Sequence, residues 1–369
     1  MPQHNQPLVA VAWSELPAYS ARLLRAGIKA IGSRVEVLAS RPVVPVPGVE
    51  AMLGQRVHWL DYKDRQVAWP RLGLPTPRIF FHTGWCVPSF NALGRSVRDN
   101  GGSVVSLIDN SFKANLRQCV GAIIYRCLYR RWFEAVWVPG VSGMRLCRFL
   151  GVPRDRIYPG LYAADPLVFR PGPPLAERRT RFLFVGQFIK RKGVEQLLAA
   201  CRLARRRHLQ LPLIHVVGCG PLEPALLAEP WCKVTPFATP DAIAARMADS
   251  RFLILPSLGD HWPLVVHEAV SCGCGLIISD QVGNRFEFLS EKNGYLVKAG
   301  DAASLLVAIL NAAALPQSSQ ASVMAESLQL SRSFSPPFFS KTFVRIVHRH
   351  LAGTSAGDNT VEHPVEETP

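Results

Sequence analysis

Between Ser257 and Ala269 the chain reads Ser-Leu-Gly-Asp-His-Trp-Pro-Leu-Val-Val-His-Glu-Ala, a helix start set between two acids. The apolar run Phe252–Leu255 just before it predicts a buried parallel strand. Pro263 suits the first position of a helix, where its missing N–H costs nothing. The N–H groups of Leu264, Val265 and Val266 are then expected to point out of that start toward an anion such as phosphate. Asp260 in the loop and Glu268 in the second helical turn add carboxylates suited to holding hydroxyls. An ordinary helix start with an exposed acid on each side fits the same residues equally well.

Two earlier segments repeat the strand–turn–helix pattern. In Val185-Gly-Gln-Phe-Ile-Lys-Arg-Lys-Gly193, Gly186 allows close backbone approach. Lys190, Arg191 and Lys192 supply positive charge where a diphosphate would sit, although a solvated basic turn has the same composition. The order Gly-Lys-Ser/Thr is absent, so this is not a Walker loop. In Val217-Gly-Cys-Gly-Pro-Leu222, Gly218 and Gly220 are equally explained by a tight turn before a helix-starting proline.

The elements that position these residues form two alternating series. The first has strand patterns at 7–13, 35–39, 78–82, 103–109 and 135–138, with helical spans at 16–31 and 111–133. After the Pro- and Gly-rich stretch Phe169–Pro174, the second has strands at 181–185, 213–217, 233–235, 252–255, 275–279 and 295–297. Helical spans fall at about 193–207, 239–249, 263–272 and 301–314, with a last one at 336–351. Strands alternating with helices predict α/β domains with parallel sheets. Tandem domains of this kind place ligands at the carboxyl ends of their strands, in the cleft between them.

Composition agrees with a globular chain of two domains: 369 residues, 48% hydrophobic and 19% charged. No run of eighteen apolar residues exists, which excludes a predicted transmembrane helix. The first basic residue is Arg22, so no signal peptide is expected. The nine cysteines, Cys119, Cys127 and Cys201 among them, read as reduced small core residues. No CxxC pair occurs, so neither a disulfide framework nor a metal site is expected. The net charge is +15, and residues 1–170 hold 22 Lys+Arg against 10 Asp+Glu, or +12. That imbalance suggests an anionic partner: an acidic membrane surface, a lipid diphosphate, an acidic glycan or nucleic acid. Lys113–Phe133 has five basic residues and no acid, with Leu116, Val120, Ile123 and Cys127 as an apolar stripe and Ile124 and Leu128 beside it. It reads as a core-facing helix with a cationic rim rather than a membrane-inserting one. Loose adsorption to an anionic leaflet is compatible with that reading.

Taken in order, Gly186…Lys192-Gly193, Gly218-Cys-Gly-Pro221, Pro256-Ser257…Asp260-His-Trp-Pro263…Glu268-Ala269…Gly273 and Ser279-Asp-Gln-Val-Gly-Asn-Arg-Phe-Glu287…Asn293-Gly294 resemble the donor half of the family-four retaining glycosyltransferases. The resemblance is strong over about 181–300, extends through 138–171, and is weak before residue 130. It implies a GT-B α/β fold, two Rossmann-like doubly wound domains facing a cleft. The implied divisions are an acceptor domain 1–168, a linker 169–180 and a donor domain 181–335. A C-terminal helix 336–352 returns toward the first domain, and 353–369 is a disordered acidic tail.

The same resemblance implies residue roles. Lys192 would neutralise the donor diphosphate, Glu268 would hold the donor ribose, and Asp260 would touch the sugar ring near the reacting face. Gly186, Gly218, Gly220 and the amides of Leu264, Val265 and Val266 would cradle phosphate and sugar, with Glu287 near the nucleotide. His82, at the end of its strand, would face the acceptor, and Asp109 is a weaker candidate. The chain departs from the family at Gln187, usually Arg, and at Asp260, usually Glu. Trp13-Ser-Glu-Leu-Pro17 replaces a glycine pair.

The activity so implied is retaining transfer of a hexose-type unit from a UDP- or GDP-linked donor to a glycan or lipid-linked acceptor. It would use no cofactor and no metal and serve cell-surface polysaccharide or glycolipid synthesis. The expected location is cytoplasmic or peripheral on the inner membrane face. The alternatives are a catalytically weak homologue serving as an assembly component, and a sugar-nucleotide epimerase of similar fold. Nucleic acid is not an expected partner, because no recognised motif for it is present.

Overall fold

The apolar runs become strands because both faces of each sheet are covered, which lets a strand be continuously hydrophobic. Val9–Trp13 and Phe182–Val185 are buried along their whole length. The computed structural model describes residues 9–42 and 47–351, so the tail expected at 353–369 lies outside the described residues.

The described residues divide into two compact units, the first of residues up to 163 together with 336–351, the second of 164–335. In the first unit the strands are β1 (Val9–Trp13), β2 (Val35–Ser40), β3 (Val57–Leu60), β4 (Ile79–Thr83), β5 (Ser103–Leu107), β6 (Ala135–Trp137) and β7 (Ile157–Tyr158). They pair in parallel in the order β3-β2-β1-β4-β5-β6-β7. Its helices are α1 (Ala18–Ile31), α2 (Val49–Leu53), α3 (Pro88–Asp99), α4 (Leu116–Ile124, continued by a π turn over Tyr125–Tyr129) and α5 (Val141–Leu150).

The second unit follows as β8 (Thr180–Val185), α6 (Val194–Arg206), β9 (Ile214–Val217), α7 (Glu223–Leu227), β10 (Cys232–Thr235), α8 (Pro240–Ala248) and β11 (Ser250–Leu255). It continues with α9 (Leu264–Ser271), β12 (Gly275–Ser279), α10 (Arg285–Phe288), β13 (Gly294–Val297), α11 (Ala302–Ala313) and α12 (Gln317–Ser331). Its six strands are parallel in the order β10-β9-β8-β11-β12-β13. The last helix, α13 (Pro336–Leu351), belongs to the first unit. Phe343 lies 5.0 Å from Phe81 and Phe339 4.6 Å from Trp137. Gly27 on α1 leaves room for the Phe343 ring, which a Cβ there would meet at 2.8 Å.

Several sequence expectations change. Within the stretch 169–180, Arg178 is anchored to the second unit. Arg178, 1% exposed, donates from Nε to Pro173 O at 2.9 Å, from Nη1 to Ser250 O at 2.7 Å and from Nη2 to Cys272 O at 2.7 Å. A fully buried guanidinium persists here because its N–H groups meet carbonyls. Cys119 and Cys127, expected in the core, are exposed. α12 escapes a periodicity reading because its inner face is polar: Ser327 Oγ donates to Cys274 O at 2.7 Å and Asn293 Nδ2 donates to Ser327 Oγ at 3.1 Å.

Backbone contacts between turns fix the carboxyl edge of the second sheet. Gly193 has φ +77°, and a Cβ there would lie 2.0 Å from Pro256 O. Gly32, with φ +66°, has nothing within 4 Å of the same position. Gly32→Ala is therefore expected to cost about 1–2 kcal/mol from backbone strain alone. Gly193→Ala should cost clearly more, by about 1–3 kcal/mol of overpacking. Urea unfolding of the two variants checks the difference.

Candidate functional site

In the second sheet the first strand, β8, lies between β9 and β11, so strand order reverses there and the loops after β8 and β11 diverge around a crevice. The sequence-expected residues gather at this edge. Gly186 N–H donates to Val217 O at 3.0 Å, and Phe188 N–H to Cys219 O at 2.8 Å, which locks the turn after β8 onto the turn after β9. A Cβ on Gly218 would sit 1.9 Å from Gly186 O, and one on Gly220 2.7 Å from Phe188 O. Leu258 N–H donates to Arg191 O at 2.8 Å, joining the β8 turn to the β11 loop. That loop is tied in turn to the one after β12, through Asp260 N–H to Gln281 O at 3.1 Å and Gly283 N–H to Asp260 O at 2.8 Å.

On this frame Lys192 Nζ donates to Asp260 Oδ2 at 2.5 Å, and Arg191 Nη1 lies 3.6 Å from Asp260 Oδ1. Arg191 Nη1 also donates to Gly259 O at 3.2 Å. Both carboxylate oxygens of Asp260 therefore face cations, and in this state the residue positions Lys192 and Arg191 rather than standing open to a sugar. Its short side chain and doubly bonded backbone hold it there. Lys192 keeps further N–H donors for an anion, since an ammonium carries three. Lys190 turns away, 3.7 Å from Glu195. Arg191 is therefore the residue placed to supply the charge missing at Gln187, which is itself exposed. Two cations against one carboxylate leave a net positive charge at the crevice.

The start of α9 lies on the same loop and carries no side-chain cap. Among the described residues the N–H groups of Leu264 and Val265 meet no backbone acceptor. Val266 corrects the expectation: its N–H donates to Pro263 O at 3.1 Å, closing a tight first turn. Asn284, not among the expected site residues, donates from Nδ2 to Pro263 O at 2.9 Å and pins that turn from the β12 side. Ser257 Oγ, Trp262 Nε1 and Asn284 Oδ1 are buried without a hydrogen-bond partner in the loops around it. Leaving such an atom unpaired costs about 1–3 kcal/mol, and the Ser257 and Asn284 side chains are fully buried, so they offer no open face to a ligand.

Glu268 stands one turn further along α9. Its half-buried carboxyl makes no hydrogen bond among the described residues, and desolvation raises its pKa to about 7. His267 beside it is a structural group: Nδ1 accepts from Ala164 N–H at 3.0 Å and Nε2 donates to Ser331 O at 3.0 Å. Burial lowers its pKa to about 4, which keeps the ring neutral.

Two expected site residues lie apart from these. Glu287 is 1% exposed within α10, so its carboxyl offers no open face to a nucleotide. His82 belongs to the first unit and is also 1% exposed, boxed by Phe80, Phe90 and Phe133 at ring separations of 5.3, 6.3 and 5.4 Å. Burial lowers its pKa to about 4, so it is a neutral side chain enclosed by aromatic rings rather than one facing an acceptor. Asp109, by contrast, is exposed.

Residues 179–314 match the sequence family Glycosyl transferases group 1, about a third of the chain. No curated protein matches the sequence. Solved structures of similar fold include a glycosyltransferase from Rickettsia africae, 10% identical, covering 95% of this chain and 100% of that one with a TM-score of 0.72. HepE from Anabaena in complex with UDP and glucose is 13% identical, with 93% and 100% covered and a TM-score of 0.71. Sucrose-phosphate synthase from Thermosynechococcus elongatus is 15% identical, with 94% and 100% covered and a TM-score of 0.70. At these identities the likeness establishes the fold: two Rossmann-like α/β domains of the GT-B type.

Removing the ammonium in Lys192→Met is expected to weaken binding of a nucleoside diphosphate by about 10- to 100-fold, the worth of one hydrogen bond to a charged group. Lys190→Ala, which removes a cation turned toward Glu195, should change it less than about threefold. Titration calorimetry with UDP and GDP measures both.

Proposed function

We propose that this chain is a retaining glycosyltransferase that moves a hexose-type unit from a UDP- or GDP-linked donor to a glycan or lipid-linked acceptor. It does so without a metal ion, in cell-surface polysaccharide or glycolipid synthesis. The observation that carries the reading is the pairing of Lys192 and Arg191 over Asp260 beside the uncapped start of α9, with Glu268 one turn away and unpartnered. The family match over 179–314 and the UDP and glucose held by HepE support the same chemistry.

In this reading the diphosphate lies between the Lys192 ammonium and the Leu264 and Val265 amides, and Glu268 accepts hydrogen bonds from ribose hydroxyls. The bond from sugar C1 to the diphosphate oxygen breaks, and its electron pair stays on the leaving group. The cations and amides, fixed before reaction, stabilise that growing charge without reorganising. The acceptor oxygen forms the new bond to C1 on the face the diphosphate leaves, and its proton passes to the departing phosphate oxygen. Arg191 takes the place of the usual arginine at position 187.

A second reading, a binding or assembly component, is favoured by the loop after β1. Where a glycine pair is usual, Glu15 holds φ 50° and donates its N–H to Ser40 Oγ at 3.0 Å.

Incubation with a panel of UDP-, GDP- and ADP-sugars, with and without acceptors, tests the proposal by nucleotide release. One donor should be consumed, and Lys192→Ala and Glu268→Ala should lose that release; full activity in both variants would overturn the site. Nucleotide binding with no turnover on any donor would leave the second reading.

Donor binding also has a pH signature. Ribose hydroxyls donating to Glu268 favour its ionised form, so binding releases a proton while the unliganded carboxyl is protonated. Affinity for the sugar nucleotide should rise with pH toward about 7 and level above it. Calorimetry in buffers of different ionisation enthalpy should show proton release near neutral pH, absent in Glu268→Gln.

A further inference from the structure

The helix whose apolar stripe suggests a core-facing element turns that stripe outward. α4 and its π turn bury Ala122 and Tyr125. Leu116, Val120, Ile123, Ile124 and Leu128 are 80, 49, 64, 44 and 64% exposed. At roughly 100° per residue most of them lie on the side opposite Ala122 and Tyr125, so the helix is mounted by its small and tyrosine side. The mounting is firm. Asn115 caps the start, accepting from Gln118 N–H at 3.0 Å, and Gln118 Nε2 donates to Ser111 O at 2.7 Å. Arg126 Nη2 donates to Phe149 O at 2.9 Å, at the end of α5.

Around the exposed face stand Lys113, Arg117, Arg130 and Arg131, all exposed and without an ion pair among the described residues. No acid occurs from Asn110 to Phe133. Aliphatic groups ringed by unpaired cations match a surface that offers apolar depth under a layer of negative charge. A second copy of the chain is a poorer occupant, because a twofold contact would set the same arginines against one another. The patch is also continuous with the carboxyl edge of the first sheet. Trp85, on the loop after β4, lies 5.1 Å from Tyr125 and 5.3 Å from Tyr129. The switch in strand order of that sheet falls between β1 and β4, where Ser14 Oγ and Thr83 Oγ1 are 2.8 Å apart.

We propose that α4 and its π turn dock the protein on an anionic lipid bilayer. Leu116, Val120, Ile123, Ile124 and Leu128 enter the boundary between headgroups and acyl chains, while Lys113, Arg117, Arg130 and Arg131 meet lipid phosphates. The surface rests on this helix alone and stands whether or not sugar transfer is the activity of the second unit. No single helix among the described residues is long and apolar enough to cross a membrane, so docking here is interfacial.

Co-sedimentation of the full chain with vesicles of phosphatidylcholine alone, and with about one third phosphatidylglycerol, tests it. Binding is expected to the anionic vesicles only and to weaken as salt is raised. The double variant Ile123→Glu/Leu128→Glu and the double variant Arg130→Ala/Arg131→Ala should each lose about tenfold or more in vesicle affinity. Both should keep the wild-type circular dichroism spectrum and UDP or GDP affinity. The proposal fails if wild type ignores both vesicles, or if Ile123→Glu/Leu128→Glu binds as well as wild type. It fails equally if the apolar face instead supports dimerisation that this variant abolishes while vesicle binding is nil.

Discussion

The turns at the carboxyl edge of the second sheet approach one another backbone to backbone, with no side chain between them. Gly218 admits the carbonyl of Gly186, Gly193 admits that of Pro256, and Gly283 admits that of His261, each at a distance a Cβ would occupy. Because the turns lock in this way, Lys192 and Arg191 on one loop reach Asp260 on another. Asp260 in turn is held through its own N–H and carbonyl to the loop after β12. A long lysine side chain normally loses much rotamer freedom when it is fixed. Here the loss occurs on folding, before any ligand arrives, so the ammonium is already ordered. The unpaired polar atoms of Ser257, Trp262 and Asn284 are buried in the same loops.

Much of the second unit is legible because three glycine-bearing turns follow apolar runs of strand length. That pattern gives both the sheet and the placing of Gly186, Lys192, Gly218 and Glu268. The engagement of Asp260 by two cations is not legible, since it depends on how far apart two loops end after folding. Nor is the closed turn at Val266, which follows from the carbonyl direction of Pro263. In the first unit, periodicity finds the apolar stripe of α4 but not its direction: an amphipathic pattern fixes which residues share a face, not which face is packed. The anchors on the other side are only Ala122 and Tyr125, too few to register as a stripe. β3 is a four-residue edge strand with two half-buried members, and it leaves little apolar signal.

The two sheets repeat one plan with different hardware. Each reverses its strand order beside its first strand, and each places its polar loop groups at that reversal. In the second unit glycine supplies the close approach. In the first, Ser14, Thr83 and Ser40 hold the β1 loop by side-chain hydrogen bonds, and Glu15 accepts a left-handed backbone. A loop fixed by hydroxyls and one unusual φ is more open to change by single substitutions than one fixed by interlocked backbone.

The return of α13 to the first unit sets the order in which the molecule is completed. Phe339 and Phe343 cover Trp137, Phe81 and the Gly27 face of α1, yet they are made only after the whole second unit. On the ribosome, residues 164–335 must be synthesised between the body of the first unit and its closing helix. At about 5–20 residues per second, that interval is roughly 9–34 s. During it the second unit can close on itself, while the first, begun earlier, waits with an aromatic face uncovered. The first unit is therefore begun before the second and closed after it.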